Sequence, residues 1–113
     1  MELDISHEQG YILASTAGAI DDSATEPFAE HLRPLVGRPG ARVVIDLSGS
    51  NLITSRGLGQ LVALVAHANM NGSRIVLAAP SRFVAAVFER SRLTTYFQIV
   101  DSVAEAAGRV SGK

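Results

Sequence analysis

Hydrophobic and polar residues alternate in two short runs at the start of the chain, and this alternation predicts two β-strands. Leu3 and Ile5 are flanked by polar residues, which is the period of a strand with one buried face. The run Tyr11–Ala17 follows directly after a polar turn at residues 8–10. Because so short a turn joins the two runs, we expect them to pair as an antiparallel hairpin.

The next segment has the period of a helix. Apolar residues at Phe28, Leu32, Leu35 and Val36 form one stripe on a helix that begins near Asp22 or Ser23. Ser23 and Glu26 have the spacing of a capping box, and Pro27 fits such a helix only in its first turn. Pro34 removes a helical hydrogen bond, so we expect a kink or an early end there.

Strands and helices alternate through the rest of the chain. The predicted elements are a strand at Val43–Ile45, a loop at Ser48–Thr54, a helix that stops at Asn71-Gly72, a strand at Ile75–Ala79, a helix at Ser81–Arg90, a strand at Tyr96–Val100 and a helix opened by the capping box of Ser102 and Glu105. The predicted order is therefore ββαβαβαβα. Such alternation is typical of an α/β fold with right-handed crossovers. We expect a single domain over residues 1–113, with a mixed, largely parallel β-sheet, an N-terminal antiparallel hairpin and about four α-helices.

Composition narrows the classes of function. The chain has 113 residues, a formal net charge of −1 and no cysteine. A nearly neutral chain argues against nucleic-acid binding, which needs a strongly basic face. The lack of cysteine excludes disulfides, thiolate zinc sites and thiol nucleophiles. The longest apolar runs, such as Leu61–Ala66, are far shorter than the roughly 20 residues of a membrane span. We expect a cytoplasmic protein without membrane insertion.

Candidate catalytic groups are scattered. His7, His31 and His67 are far apart in the sequence and form no metal-binding motif. Asp46, at the end of a strand, is better suited to capping a turn than to binding Mg²⁺. The sequence contains no phosphate-binding glycine motif, and Gly57-Leu58-Gly59 lacks the third glycine of a dinucleotide site. We therefore predict no enzymatic activity, no cofactor and no metal.

One segment carries more information, the loop and helix start at residues 52–59. Thr54 and Ser55 place hydroxyls at the N-terminus of a helix, where backbone amides lack partners and the helix dipole is positive. One interpretation is that Thr54 or Ser55 caps the helix while Gly57 lets a neighbouring loop pack closely. The other is a phosphate site, because a helix N-terminus stabilises negative charge.

Three stretches together resemble the STAS domain of bacterial anti-sigma factor antagonists over nearly the whole chain. They are Gly18-Ala-Ile-Asp21 with the helix after it, Val43–Ser48 followed by Ile53-Thr-Ser-Arg-Gly-Leu-Gly59, and Arg74–Ala79 followed by Val84–Leu93. The resemblance implies a STAS-like fold. It also implies a binding module whose partner is an anti-sigma factor with a kinase-like fold, and which is itself a monomer or a weak homodimer.

The resemblance also implies where the partner binds. The expected partner-binding residues are Asp21, Ser48, Thr54, Ser55, Arg56 and Gly57. In the family, phosphorylation of a Ser or Thr at the start of the second helix switches binding off. A phosphate adds about −1.5 to −2 charges, and in a packed interface this charge costs desolvation.

This chain departs from the family pattern at the residue that accepts the phosphate, because that position is Arg56. Either the switch has moved to Ser55, the phosphorylation candidate, or the usual switch is lost. Other functions remain open: a module that senses a nucleotide or another small anion through Arg56, a STAS subunit of a lipid-transport ATPase complex and, last, a hydrolase that uses Ser55.

Overall fold

A five-stranded mixed sheet forms the centre of the protein in the computed structural model, which describes residues 1–111. The strands lie in the order of the sequence: β1 (Glu2–Glu8), β2 (Tyr11–Ala17), β3 (Arg42–Gly49), β4 (Arg74–Ala78) and β5 (Ile99–Val100). β1 and β2 are antiparallel, and every later strand is parallel to the one before it. The predicted hairpin and the largely parallel sheet are both confirmed.

Four helical segments cover the two faces of the sheet within the described residues. They are α1 (residues 22–36), α2 (Ser55–Met70), α3 (Arg82–Arg90) and α4 (Val103–Ser111). The larger core joins one face of the sheet to α1, α2 and α3, and Ile45, Leu61 and Phe88 are fully buried there. On the other face, α4 packs Ala106 and Val110 against Val44 and Val76. The fold is therefore a three-layer α/β arrangement.

The first helix begins where the sequence predicts, but its N-cap is not Ser23 of the predicted capping box. The N-cap is Asp21, whose carboxylate accepts a hydrogen bond from the backbone N–H of Ser23. A carboxylate one residue before the first turn suits the positive end of the helix better than a hydroxyl inside that turn. The Ser23 hydroxyl instead donates to the same carboxylate.

Pro34 widens α1 rather than ending it. The helix has a π turn over Phe28–Leu32 and continues to Val36, with the N–H of Arg33 bonded to the carbonyl of Phe28. A proline cannot donate to the carbonyl four residues before it, and its ring presses on that carbonyl. A wider turn just before the proline relieves this conflict.

β4 is shifted by one residue from its prediction, and two other strands differ more. β3 is longer than Val43–Ile45 and includes Ser48, which was expected to start a loop. β5 is only Ile99–Val100, whereas the prediction began at Tyr96. Phe97 lies in a turn before β5 and is buried against Phe88, with the two ring centroids 5.2 Å apart in an edge-to-face arrangement. Packing of this ring takes the segment out of the sheet.

Candidate functional site

The loops that follow β2 and β3 meet at the carboxyl edge of the sheet. Ile20 and Ile53 form a parallel bridge. The N–H of Ile20 donates to the carbonyl of Leu52 at 2.9 Å, and the N–H of Thr54 donates to the carbonyl of Ile20 at 3.0 Å. These hydrogen bonds place the loop at residues 18–21 directly against the start of α2.

Thr54, and not Ser55, caps α2. Its hydroxyl oxygen accepts a hydrogen bond from the N–H of Gly57 at 3.2 Å, while its backbone is extended as an N-cap requires. Ser55 is the first helical residue, and its side chain is exposed, as is that of Arg56. The structure therefore decides between the two candidate caps and leaves the Ser55 hydroxyl outside the capping interaction.

Gly57 allows the loop to approach the helix. A Cβ atom at this position would lie 1.8 Å from the carbonyl oxygen and 2.4 Å from the carbonyl carbon of Ile20. Both are backbone atoms, so no side chain fits between α2 and the loop. The close packing predicted for Gly57 is confirmed, and it brings the backbone of Asp21 next to the first turn of α2.

Asp21, at this edge of the sheet, has a carboxyl whose pKa is lowered by its hydrogen bonds. Hydrogen bonds from the Ser23 hydroxyl and then from the Ser23 N–H, at 2.9 Å, lower the pKa of the Asp21 carboxyl below its ordinary value. The carboxylate therefore stays charged at neutral pH while it caps α1. Asp21 lies beside the start of α2 through its backbone, and its side chain is committed to α1.

The lowered pKa gives a prediction about stability and pH. A carboxyl whose pKa is lower in the folded state stabilises the fold above its unfolded pKa, and this stabilisation is lost as the pH falls through the folded pKa. We expect the melting temperature of Asp21→Asn to lie below that of the wild type at pH 7, with the gap closing below about pH 4. Asp22→Asn removes the same charge one residue away and is the control. A gap that stays constant down to pH 2.5 would contradict the assignment.

A buried polar pair supports the loop from below, and sequence reasoning missed it. The hydroxyls of Thr16 and Ser50 are 2.7 Å apart, both residues are buried, and the Thr16 hydroxyl also reaches the carbonyl of Asp46 at 3.3 Å. Thr16 is in phase with the inward-facing Ala14, so the strand period contained a signal for its burial. Ser50 had no such signal, because it follows an irregularity in the β2–β3 pairing.

Ser48 has a different place from the one expected. It is exposed near the end of β3, and its N–H donates to the Asp46 carboxylate at 3.0 Å. Asp46 therefore makes a short-range hydrogen bond to the backbone, but it lies within β3 and not at the strand end where a turn cap was predicted. Of the two serines near the end of β3, Ser50 supports the loop and Ser48 lies on the surface.

The surface around Ser55 combines three kinds of group. Leu52 is 44% exposed, and it precedes the exposed Ser55 and Arg56 by only a few residues. Phe83, at the start of α3, is 48% exposed, and the start of α3 follows the carboxyl end of β4. Parallel strands place such loops at a common edge, where α/β proteins bind their ligands. An exposed apolar group beside a cation and a hydroxyl is suited to protein contact.

Two further observations concern metal ligands and membrane-spanning helices in the described part of the chain. No group of three His, Asp or Glu side chains within residues 1–111 is placed to hold a metal ion. Over the same residues, none of the helices is both long enough and apolar enough to cross a bilayer.

Comparison with known proteins places this geometry in a family. A family model described as "Mlab, STAS domain" matches residues 8–101. A candidate anti-sigma factor antagonist from Thermotoga maritima has 18% identity and a TM-score of 0.81, with 96% of this chain and 93% of that chain covered. An RsbS variant from Moorella thermoacetica has 18% identity and a TM-score of 0.81, with 97% and 95% covered.

A third similar structure is the unphosphorylated form of SpoIIAA, an anti-sigma factor antagonist of Bacillus. It has 18% identity and a TM-score of 0.79, with 99% of this chain and 98% of that chain covered. At such identity these structures establish a common fold, and they confirm the predicted fold class.

Proposed function

The chain belongs to the family described as "Mlab, STAS domain", and from this premise we propose that it is a regulator that binds a protein partner through the start of α2. The partner we propose is an anti-sigma factor with a kinase-like fold; SpoIIAA, which shares the fold of this chain, is an anti-sigma factor antagonist. The binding surface, called the α2 surface below, comprises Asp21, Ser48, Leu52, Thr54, Ser55 and Arg56. Gly57, which was expected to contact the partner, is buried beneath this surface and supports it. The observation that carries the proposal is the exposed Ser55–Arg56 pair on a helix start that Thr54 already caps.

The proposal assigns the switch to Ser55. Its hydroxyl is exposed and is not needed as a cap, so a kinase that phosphorylates it leaves the Thr54 cap in place. A phosphate at the first turn lies at the positive end of the helix and next to the Arg56 cation, and both favour its charge. The same charge disrupts a packed contact with a partner. Phosphorylation of Ser55 therefore turns the partner-binding form into a non-binding form, with little loss of folding stability.

Arg56 has a different role in the unphosphorylated protein. Its exposed guanidinium offers planar, multiple hydrogen-bond donors for a carboxylate of the partner. Leu52 supplies apolar area beside it. We therefore assign affinity to Leu52 and Arg56 and regulation to Ser55.

A phosphorylation assay tests the switch. Each kinase-like anti-sigma factor encoded in the same genome is purified and incubated with the protein, ATP and Mg²⁺, and the product is read by intact mass and peptide mapping. We expect one phosphate on Ser55, none on Ser55→Ala, and normal modification of Ser91→Ala, which alters an exposed serine at the end of α3. An unmodified wild-type chain that still binds its partner would show that the switch has been lost.

The binding prediction uses charge changes on the α2 surface. Ser55→Asp and Arg56→Glu should each weaken partner binding at least about tenfold, which corresponds to about 1.4 kcal/mol. The control is Arg90→Glu, which makes the same charge reversal at the exposed end of α3. Affinities are measured by isothermal titration calorimetry. If both variants bind as tightly as the wild type, the α2 surface is not the interface.

A second candidate function is a STAS subunit of a lipid-transport ATPase complex. It is favoured by the family model, whose description names Mlab rather than an antagonist. The phosphorylation assay discriminates between the two candidate functions, because this candidate requires a stable complex with a P-loop ATPase and no phosphate on Ser55. Purification of the tagged protein with its bound partner, followed by mass spectrometry, identifies which class of partner is present.

A further inference from the structure

Two arginines lie side by side at the amino edge of the sheet, opposite to the α2 surface. Arg42 and Arg74 are the first residues of β3 and β4, and they are paired in register in the parallel ladder. Paired residues of adjacent strands are about 5 Å apart and point to the same face. The two guanidinium groups therefore share one side of the sheet.

The space between these strands and α4 is a hollow of about 210 Å³. Its lining consists of Gly40, Ala41, Arg42, Gly72, Arg74 and Val110, which includes two cations and no carboxylate. Its walls are fixed by backbone hydrogen bonds, from the N–H of Gly40 to the carbonyl of Gly72 at 3.0 Å and from the N–H of Arg74 to the carbonyl of Ala41 at 2.8 Å. The hollow is thus a preformed feature of the fold.

Within residues 1–111, neither guanidinium forms an ion pair with a carboxylate. Arg74 donates from Nε to the amide oxygen of Gln98 at 3.3 Å, a contact that orients the guanidinium and leaves its two terminal nitrogens free of this bond. Across residues 1–111, the Arg42 guanidinium has no hydrogen-bond or ion-pair partner. Like charges that face each other across strands destabilise a sheet, so an anion between them would remove an energetic penalty.

We propose that this hollow binds the phosphate group of a small phosphate monoester. Two arginines are suited to this group, because each guanidinium pairs with phosphate oxygens through a planar set of donors. The volume equals that of about seven water molecules, so a phosphate fits together with part of its hydration shell. An adjoining hollow of about 310 Å³ shares Gly40 and Arg42 and is also lined by His7, Glu8 and Tyr11. Because Glu8 adds a carboxylate there, the phosphate itself belongs in the first hollow, and the adjoining one can take the organic part of the molecule.

The proposed phosphate site is independent of the proposed function. β3 runs eight residues from Arg42 to Gly49, so the two edges are separated by about 25 Å of strand. A ligand here has no direct contact with Ser55. Failure of one proposal therefore leaves the other unchanged.

A titration followed by ¹⁵N–¹H NMR tests the site. Inorganic phosphate and AMP are added separately at constant ionic strength, with sodium chloride as the reference salt. We expect saturable shifts of the Gly40, Ala41 and Gly72 amides with both ligands, and additional shifts at Tyr11 only with AMP. Shifts that do not saturate, or that sodium chloride reproduces, would overturn the proposal.

Variants distinguish a built site from general charge attraction. Arg42→Gln should weaken phosphate binding at least tenfold, and Arg42→Lys, which keeps the charge but loses the planar donors, should weaken it severalfold. Arg90→Gln removes an equal charge from α3 and should bind phosphate as the wild type does. Equal weakening by Arg42→Gln and Arg90→Gln would show that only net charge matters. Dispersed spectra confirm that each variant is folded, and the exposed Arg42 side chain carries no core contact.

Discussion

Gly57→Ala should lower the free energy of unfolding by more than about 3 kcal/mol, the upper end of what overpacking usually costs. The added Cβ would lie 1.8 Å from the carbonyl oxygen of Ile20, far inside van der Waals contact. That oxygen also accepts the N–H of Thr54, and the N–H of Ile20 is bonded to Leu52. The loop cannot move away without breaking these hydrogen bonds, so the clash must displace the start of α2.

Gly59→Ala is the matched control for this prediction. Gly59 lies two residues further along α2, is exposed, and has no atom within 4 Å of an added Cβ. Alanine there should stabilise the protein by about 0.5–1 kcal/mol, because glycine is a poor helix former. Urea unfolding measures both variants. If Gly57→Ala is within 1 kcal/mol of the wild type, the loop at residues 18–21 does not pack on α2 as described.

The contact between Gly57 and the carbonyl of Ile20 holds both the fold and the α2 surface in place. Displacement of α2 would separate Asp21 from Ser55 and Arg56, so Gly57→Ala should also abolish partner binding. Ser55→Asp should weaken binding while leaving stability nearly unchanged, because Ser55 is exposed and outside the cap. Comparing the two variants separates loss of the surface from a change of its charge.

The sequence predicted the local structure at the start of α2. The position of Thr54 and Ser55 at a helix start follows from the apolar pattern of α2 and the strand before it. The close approach of a loop at Gly57 was one of two interpretations of this segment. Which hydroxyl caps the helix did not follow, since both residues have side chains that cap well and a shift of one residue exchanges their roles. The support from Thr16 and Ser50 depends on the register between β2 and β3, which local pattern does not specify.

Element boundaries were less predictable where side chains make long-range contacts. β1 and β2 follow the alternation of the sequence, because each buries one face. The segment from Tyr96 to Val100 is equally rich in strand-forming residues, but only Ile99 and Val100 join the sheet. Phe97 is instead held by the ring of Phe88 from α3, and this tertiary contact overrides local propensity.

Phe97→Ala should therefore destabilise the protein by about 3–4 kcal/mol, as expected for the loss of a buried phenylalanine. Its ring is 3% exposed and lies edge-to-face with Phe88, so truncation leaves a cavity and an unpaired ring. Tyr96→Ala is the matched control, because Tyr96 is the adjacent aromatic residue but is 41% exposed. Tyr96 also contacts Phe97, at 5.6 Å between ring centroids, so its removal should cost about 1 kcal/mol.

Thermal unfolding resolves this difference, since 1 kcal/mol corresponds to about 4 °C in a domain of this size. Phe97→Ala should melt at least about 12 °C below the wild type, and Tyr96→Ala about 4 °C below. If the segment were a continuous strand from Tyr96, the two side chains would point to opposite faces of the sheet. Phe97→Leu keeps most of the apolar volume without the ring, so a loss smaller than that of Phe97→Ala would locate the stabilisation in burial rather than in backbone pairing.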